Sequence, residues 1–326
     1  MSKDINNYDC YVGEDSLVLT LHRGYIKIVD VTVDDFVLTH TGKWSKVLAL
    51  VKGKNVAVKK IKTFKTPELY VTNKQTFYTS NRKERTWKPF ARLDYDSTLC
   101  TVIPKNKVGI VTQDAFWRFL GVWLKRGYFK GNRSFVAVQV NKVEERFLVG
   151  VLDDLGVHYD KNKLPSGIEY FIKDSDLRAI SGDFMDANSE KVIPGFVLNE
   201  DPVKLTLMLE VFLDLVKFSD KKIRHIPIYN EGMAYIISLL IHKCYNIPTS
   251  INKTKLIGLD NKTKLAYIIT NKFSGKHTIN GIYDWGKPRN IEEELIITTG
   301  YSLVVEKYNS YLTNNTMMRG FLKKSS

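Results

Sequence analysis

The sequence predicts a mixed fold: an all-β domain, and an α+β domain inserted into it that has internal pseudo-twofold symmetry. Three observations predict it. Short β-branched runs broken by turn residues fill the first hundred residues, and strand composition returns from Leu295. Between them lies FWRFLGVWLKRGY, Phe116 to Tyr128, whose apolar residues recur at helical spacing. Beyond it the order helix, hairpin, helix, strands occurs twice, a repeat of structure rather than of letters.

The first β runs are SLVLT, YIKIVDV, DDFVLTH and KWSKVLALV, separated by turns at His22 to Gly24 and at Thr41-Gly42. ELYVTNKQTFYT, Glu68 to Thr79, adds two strands around a polar turn at Asn73-Lys74, and Ile103-Pro104-Lys105 reads as an exit from the region. In the helix that follows, Phe116, Phe119, Leu120, Trp123 and Leu124 form one face. Gly121 lies in that face, where a missing side chain lets a second helix backbone approach, and Gly127 reads as a stop. The expected partner is Leu205 to Val216, with Leu205, Met208, Leu209, Phe212, Leu213 and Val216 on one stripe. Periodicity alone favours two ordinary core helices.

After the first helix come a hairpin turning at Gly131-Asn132 and an amphipathic helix, Val143 to Leu155, ending at Gly156. After the second come a strand at Lys221 to Ile228, a helix at Glu231 to Cys244, and strands at Leu256 to Gly258 and Leu265 to Thr270. Lys276 to Pro288 reads as a returning loop. The expected boundaries are 1–105, 106–275 with halves of about 106–180 and 181–275, and 276–326.

Composition narrows the classes of function. The 326 residues are 44% hydrophobic, which rules out a disordered tail. No apolar run approaches the roughly 20 residues of a membrane span, and MSKDINNYD lacks the apolar core of a signal peptide, so an intracellular protein is expected. Cys10, Cys100 and Cys244 have neither disulfide-framework nor zinc spacing. A formal charge of +14, spread along the chain, favours a polyanionic partner over a solvated basic surface with none.

The blocks Cys10, Gly13 to Thr20, Gly24 and Asp34 to Gly42 resemble the opening of an intein, the Hint fold of self-splicing proteins. Tyr301 to Glu306 and Asn309 to Asn315 resemble its closing blocks, which implies that the two chain ends join into one Hint domain. FLGVWLKRG, Phe119 to Gly127, resembles the LAGLIDADG motif of the homing endonucleases found inside inteins, and LEVFLDLVK, Leu209 to Lys217, occupies the place of the second motif.

The resemblance assigns chemistry to particular positions. In an intein a leading Cys attacks the preceding carbonyl in an N–S acyl shift, assisted by a Thr and a His that polarise the amide. Cys10 stands in that place, read either as this nucleophile or as a thiol on a leading strand. Thr72 keeps the Thr, but Gln75 replaces the His, and an amide cannot shuttle a proton at neutral pH. At the closing end, Arg319 and Gly320 occupy the places of the terminal His and Asn, and Asn315-Thr316 is the other pair with suitable letters.

In the endonuclease family the last acidic residue of each motif holds a divalent metal, Mg2+, at a scissile phosphate. Here those positions carry Arg126 and Val216, and a shifted register of the second motif offers Asp220 as a metal ligand. A cation at a metal position repels metal and attracts phosphate. Contact with a major groove is expected from Tyr128, Lys130, Asn132, Arg133 and Gln139 on the first hairpin, and from Lys221, Lys222, Arg224 and His225 in the second half. The resemblance therefore implies a free-standing, intein-derived relative of homing endonucleases. It would bind double-stranded DNA as a monomer with internal pseudo-twofold symmetry, with splicing lost and cleavage weak or lost. The alternatives are an active, metal-dependent, site-specific endonuclease using Asp220, and an intein that retains N-terminal autoprocessing at Cys10.

Overall fold

The structure is a computed structural model that describes residues 10–63, 65–80, 84–94, 97–104, 113–131, 133–213, 225–257, 263–270, 277–280, 283–286 and 288–321. It divides into two compact units, one of Met1–Lys105, Pro194–Leu198 and Ile223–Ser326, the other of Asn106–Ile193 and Asn199–Lys222. Five α-helices occur among the described residues: α1 (Asp114–Arg126), α2 (Lys142–Leu155), α3 (Ser175–Asp183), α4 (Pro202–Phe212) and α5 (Glu231–Tyr245).

The first unit is built on a 14-stranded sheet to which both chain ends contribute. The long strand Trp44–Thr63 pairs antiparallel with Pro288–Val305. The closing hairpin, Ser310–Thr313 with Thr316–Arg319, lies between Leu17–Thr20 and Thr76–Ser80. The apolar core mixes the ends in the same way, since Val12, Val18, Val37 and Phe77 pack with Leu303, Tyr311 and Met318. Neither end covers its own apolar face, so the β domain exists only when both are present.

Two stretches of this unit differ from the sequence reading. YIKIVDV is not one strand: Gly24–Lys27 is extended, and Ile28–Asp30 turns in a 3-10 helix that buries Ile28. Lys276 to Pro288 contains a hairpin, His277–Asn280 with Tyr283–Gly286, that pairs with Thr98–Val102. The Asn280-Gly281 dipeptide is a strong hairpin signal, and the segment borders an existing sheet edge that supplies partners for its backbone.

The first unit also contains α5 and the three-stranded sheet of His225–Ile228, Thr263–Thr270 and Ser250–Ile257. α5 is apolar around its circumference and buried from Met233 to His242. Its Tyr235 ring stands 5.3 Å from that of Tyr25, and Glu231 accepts hydrogen bonds from Tyr235 and Tyr267 at 2.8 and 2.7 Å.

In the second unit, α1 leads directly into the four-stranded sheet of Gly127–Lys130, Phe135–Val140, Gly167–Ile172 and Tyr159–Leu164. α2 is closed by a capping box of Asn141 and Glu144 and ends at Gly156 with φ +68. Gly127 has an extended φ of −78 instead of the left-handed stop, and a Cβ there would lie 2.2 Å from the Trp123 ring. Glycine is required at this position by close packing.

α1 packs on α4 as the apolar stripes imply. A Cβ on Gly121 would meet Met208 O at 2.5 Å and Val211 Cβ at 2.8 Å, so backbone lies against backbone. α4 ends at Phe212, and the stretch from Asp214 to Arg224, including Val216, lies outside the described residues. Along the chain the described elements run α, β, β, α, β, β, α in the first segment and α, β, α, β, β in the second.

Candidate functional site

The end of α1 concentrates cations around one carboxylate. Lys125 and Arg126 both point to Glu144, with nitrogen to oxygen distances of 2.9 and 3.5 Å, and Glu144 Oε2 also accepts from Asn141 N at 3.3 Å. Burial alone would raise the Glu144 pKa, but hydrogen bonds from Lys125 and the Asn141 backbone, with the charges of Lys125 and Arg126, hold it below the usual carboxylate value. Arg126 itself is exposed.

Lys191 reaches the same helix end. Its ammonium donates to Leu124 O at 3.0 Å and lies 5.4 Å from the Trp123 ring centroid, and burial pulls its pKa down to about 8. The sequence reading missed this residue, although a lone lysine before Val192-Ile193-Pro194 in an apolar stretch was visible. Three basic side chains therefore gather where the resemblance implies a metal. The described residues do not fit a divalent cation here, because Glu144 is already engaged by cations. Among them no cluster of three or more His, Cys, Asp or Glu side chains could hold a metal ion. Asp220 lies outside the described residues.

The depressed pKa of Lys191 gives a signed prediction. The folded protein releases this proton near pH 8, whereas the unfolded chain holds it to about pH 10.4. Between these values the unfolded state binds more protons, so stability rises with pH. Lys191→Met should flatten that rise by roughly 1–3 kcal/mol between pH 7.5 and pH 10, on the order expected for such a shift. Urea unfolding of both proteins at the two pH values checks it, and parallel curves would refute it.

The four-stranded sheet presents one face to α1 and α2 through Val136, Val138, Tyr170 and Ile172. Tyr128, Lys130 and Gln139 alternate onto the opposite face. There Tyr128 donates to Glu169, Lys130 pairs with Glu169 at 3.0 Å and covers the Phe171 ring at 4.7 Å, and Gln139 donates to Ser166 Oγ at 2.7 Å. Hydrogen bonds from Tyr128 and Lys130 outweigh the burial of Glu169 and hold its pKa down. Arg133 adopts φ +67 in the turn and donates to Ser189 Oγ at 2.7 Å. Asn132 lies outside the described residues.

In the other unit, His225 is exposed at the start of its strand, on the sheet face shared with Pro227, Asn252 and Lys264. Lys221, Lys222 and Arg224 lie outside the described residues.

The positions given to splicing chemistry come together in the β unit. Cys10 Sγ donates to Lys74 O at 3.2 Å, and Thr72 Oγ1 accepts from Tyr11 N at 3.1 Å. Gln75 is fully buried and donates to Arg319 O at 3.0 Å. A Cβ on Gly320 would stand 2.2 Å from Leu303 O and 2.8 Å from Asn309 Oδ1, which leaves no room for an asparagine side chain there. Asn314 and Asn315, at φ +46 and +54, form the buried turn of the closing hairpin. Asn315 Nδ2 is committed to Tyr235 O at 3.1 Å, and its Oδ1 accepts from Tyr25. This amide is occupied in holding the turn.

No helix among the described residues is long and apolar enough to cross a membrane. No protein-family model and no curated protein matches the sequence. Among solved structures, a DnaB intein from Synechocystis sp. PCC 6803 is 8% identical, with 96% of this chain and 99% of that one covered, at a TM-score of 0.36. The homing endonuclease I-WcaI, bound to its DNA recognition sequence, is 15% identical over 50% of this chain and 78% of its own, at 0.29. I-DmoI, in complex with DNA and Ca, is 11% identical over 49% of this chain and 83% of its own, at 0.32.

Proposed function

We propose that the chain is an intein-derived, homing-endonuclease-like protein that binds duplex DNA, with splicing lost and cleavage weak or lost. On this reading residues 106–275 act together in binding, although their last part packs with the β unit. One observation carries the proposal: at the end of α1, Lys125 and Arg126 share the Glu144 carboxylate and Lys191 bonds to Leu124 O, so three basic side chains meet there while the close α1–α4 packing is kept. Such an end attracts a phosphate and repels Mg2+. Tyr128, Lys130 and Gln139 share one sheet face and have polar tips suited to groove contacts. The buried Gln75 and the crowded Gly320 support the loss of splicing, because one cannot carry a proton and the other has no side chain to cyclise.

The test is binding of the full chain to a mixed-sequence duplex at several salt concentrations. Affinity in the micromolar range at low salt, falling steeply as salt rises, is expected. Arg126→Ala should lower the slope of log affinity against log salt by about 0.9, the value of one phosphate contact. Absence of binding at low salt refutes the reading. Sequence-specific breaks in Mg2+ that vanish in Asp220→Ala, or thiol-induced release of the peptide before Cys10, would overturn the lost activities and leave the binding.

A further inference from the structure

The β unit carries an aromatic shelf that borders the splicing positions at Arg319. Strand Thr76–Ser80 pairs with Arg85–Pro89, and Tyr78 lies opposite Trp87 with ring centroids 5.0 Å apart. Across the sheet, Tyr283 and Trp285 stand 6.1 and 5.7 Å from Tyr78. Tyr78, Trp87 and Tyr283 are half-buried, whereas Trp285 is buried beneath them. Three half-buried rings on one face of neighbouring strands therefore reach the surface above Trp285, with His40 packed at their border, 5.4 Å from Tyr78 and 5.3 Å from Trp87.

Cations border it. The Arg85 guanidinium, on an exposed residue, covers the Tyr283 ring at 4.6 Å, and that of Arg319 stands 5.8 Å from the Trp87 ring. A guanidinium stacked on a ring keeps its N–H groups for phosphate oxygens, and the whole chain is strongly basic at +14. Half-buried ring faces beside cations match the two halves of an unpaired nucleotide, a flat base and a charged phosphate. Duplex DNA offers no such match, because its base faces are stacked inside the helix.

We propose that this shelf binds single-stranded nucleic acid, with bases stacked on Trp87 and Tyr78 and phosphates paired with Arg85 and Arg319. The site is separate from the duplex-binding surface proposed above and does not depend on it.

The experiment titrates the full chain with a thymidine oligonucleotide of about twelve residues, within the site sizes of stacking grooves, and follows tryptophan emission. Stacking on Trp87 quenches it. Trp87→Leu, read by anisotropy of a dye-labelled oligonucleotide, should weaken single-strand binding about tenfold, the loss of roughly one stacked base. Arg85→Ala, a change on the exposed surface that leaves folding intact, should lower the salt slope by about 0.7. A blunt duplex run in parallel should keep its affinity in both variants. Failure of the single strand to bind, binding without quenching, or binding unchanged in Arg85→Ala and Trp87→Leu overturns the shelf whatever the duplex does. Loss of duplex binding alone would count against the duplex reading only.

Discussion

Gly121→Ala should destabilise the α1–α4 unit by about 1–3 kcal/mol, the usual cost of overpacking, and Gly121→Leu by more. The added Cβ meets Met208 O at 2.5 Å and Val211 Cβ at 2.8 Å. One of these neighbours is backbone and cannot turn aside, so Val211→Ala in the same chain should restore little. Gly150→Ala is the control. It lies on α2, and a Cβ added there would have nothing within 4 Å, so the gain in helix propensity should stabilise by about 0.5–1 kcal/mol. Thermal unfolding of Gly121→Ala and Gly150→Ala reads the opposite signs. Equal effects at the two glycines would mean that α1 and α4 do not touch through Gly121.

Asp284→Leu is expected to cost about 3–5 kcal/mol, the cost of leaving a buried charge without its counter-ion. Lys65 and Asp284 form an ion pair in the β unit with side chains 5% and 0% exposed, and His242 Nδ1 lies 3.0 Å from the same Asp284 oxygen. The three residues come from a loop after Trp44–Thr63, from the hairpin strand Tyr283–Gly286 and from α5, so one carboxylate joins segments far apart in the chain. With Asp284 gone, the Lys65 ammonium stays buried and loses this counter-ion. Lys65→Met combined with Asp284→Leu removes both charges and should recover most of the loss. Calorimetry of the single and double variants gives the coupling. Additive losses would show that the two groups do not depend on one another.

Local patterns made much of this structure legible. The apolar stripe of α1 named its partner helix, Gly156 marked the end of α2, and the β-branched runs marked most strands of the β unit. Where a segment's fold rests on its neighbours, the pattern was silent. YDKNKL, Tyr159–Leu164, carries no alternating apolar signal because it is a largely exposed edge strand, held in place by pairing with Gly167–Ile172. α3 was missed for a similar reason, since only Leu177 and Ser181 are buried along it.

Of the candidate site, the residue types at the motif positions were readable and their surroundings were not. Arg126 stands in the letters, but its shared carboxylate Glu144 belongs to the next helix, and Lys191 arrives from 67 residues beyond Leu124. Asn315-Thr316 had suitable letters for splicing, yet tertiary packing turned Asn315 into a buried hairpin turn tied to α5.

By itself, then, the sequence determined most of the helices and strands, which face of each is apolar, and where a backbone must pass close to another, as at Gly121. Tertiary structure alone decided which charges meet, which amides are used up, and which aromatic rings gather on the shelf around Trp87. The reason is range. Periodicity and capping act over a few residues, whereas Leu17 N bonds to Asn314 Oδ1 at 2.7 Å across a separation of 297 positions. A contact at that distance leaves no mark in either local pattern, because it is selected by the folded core as a whole.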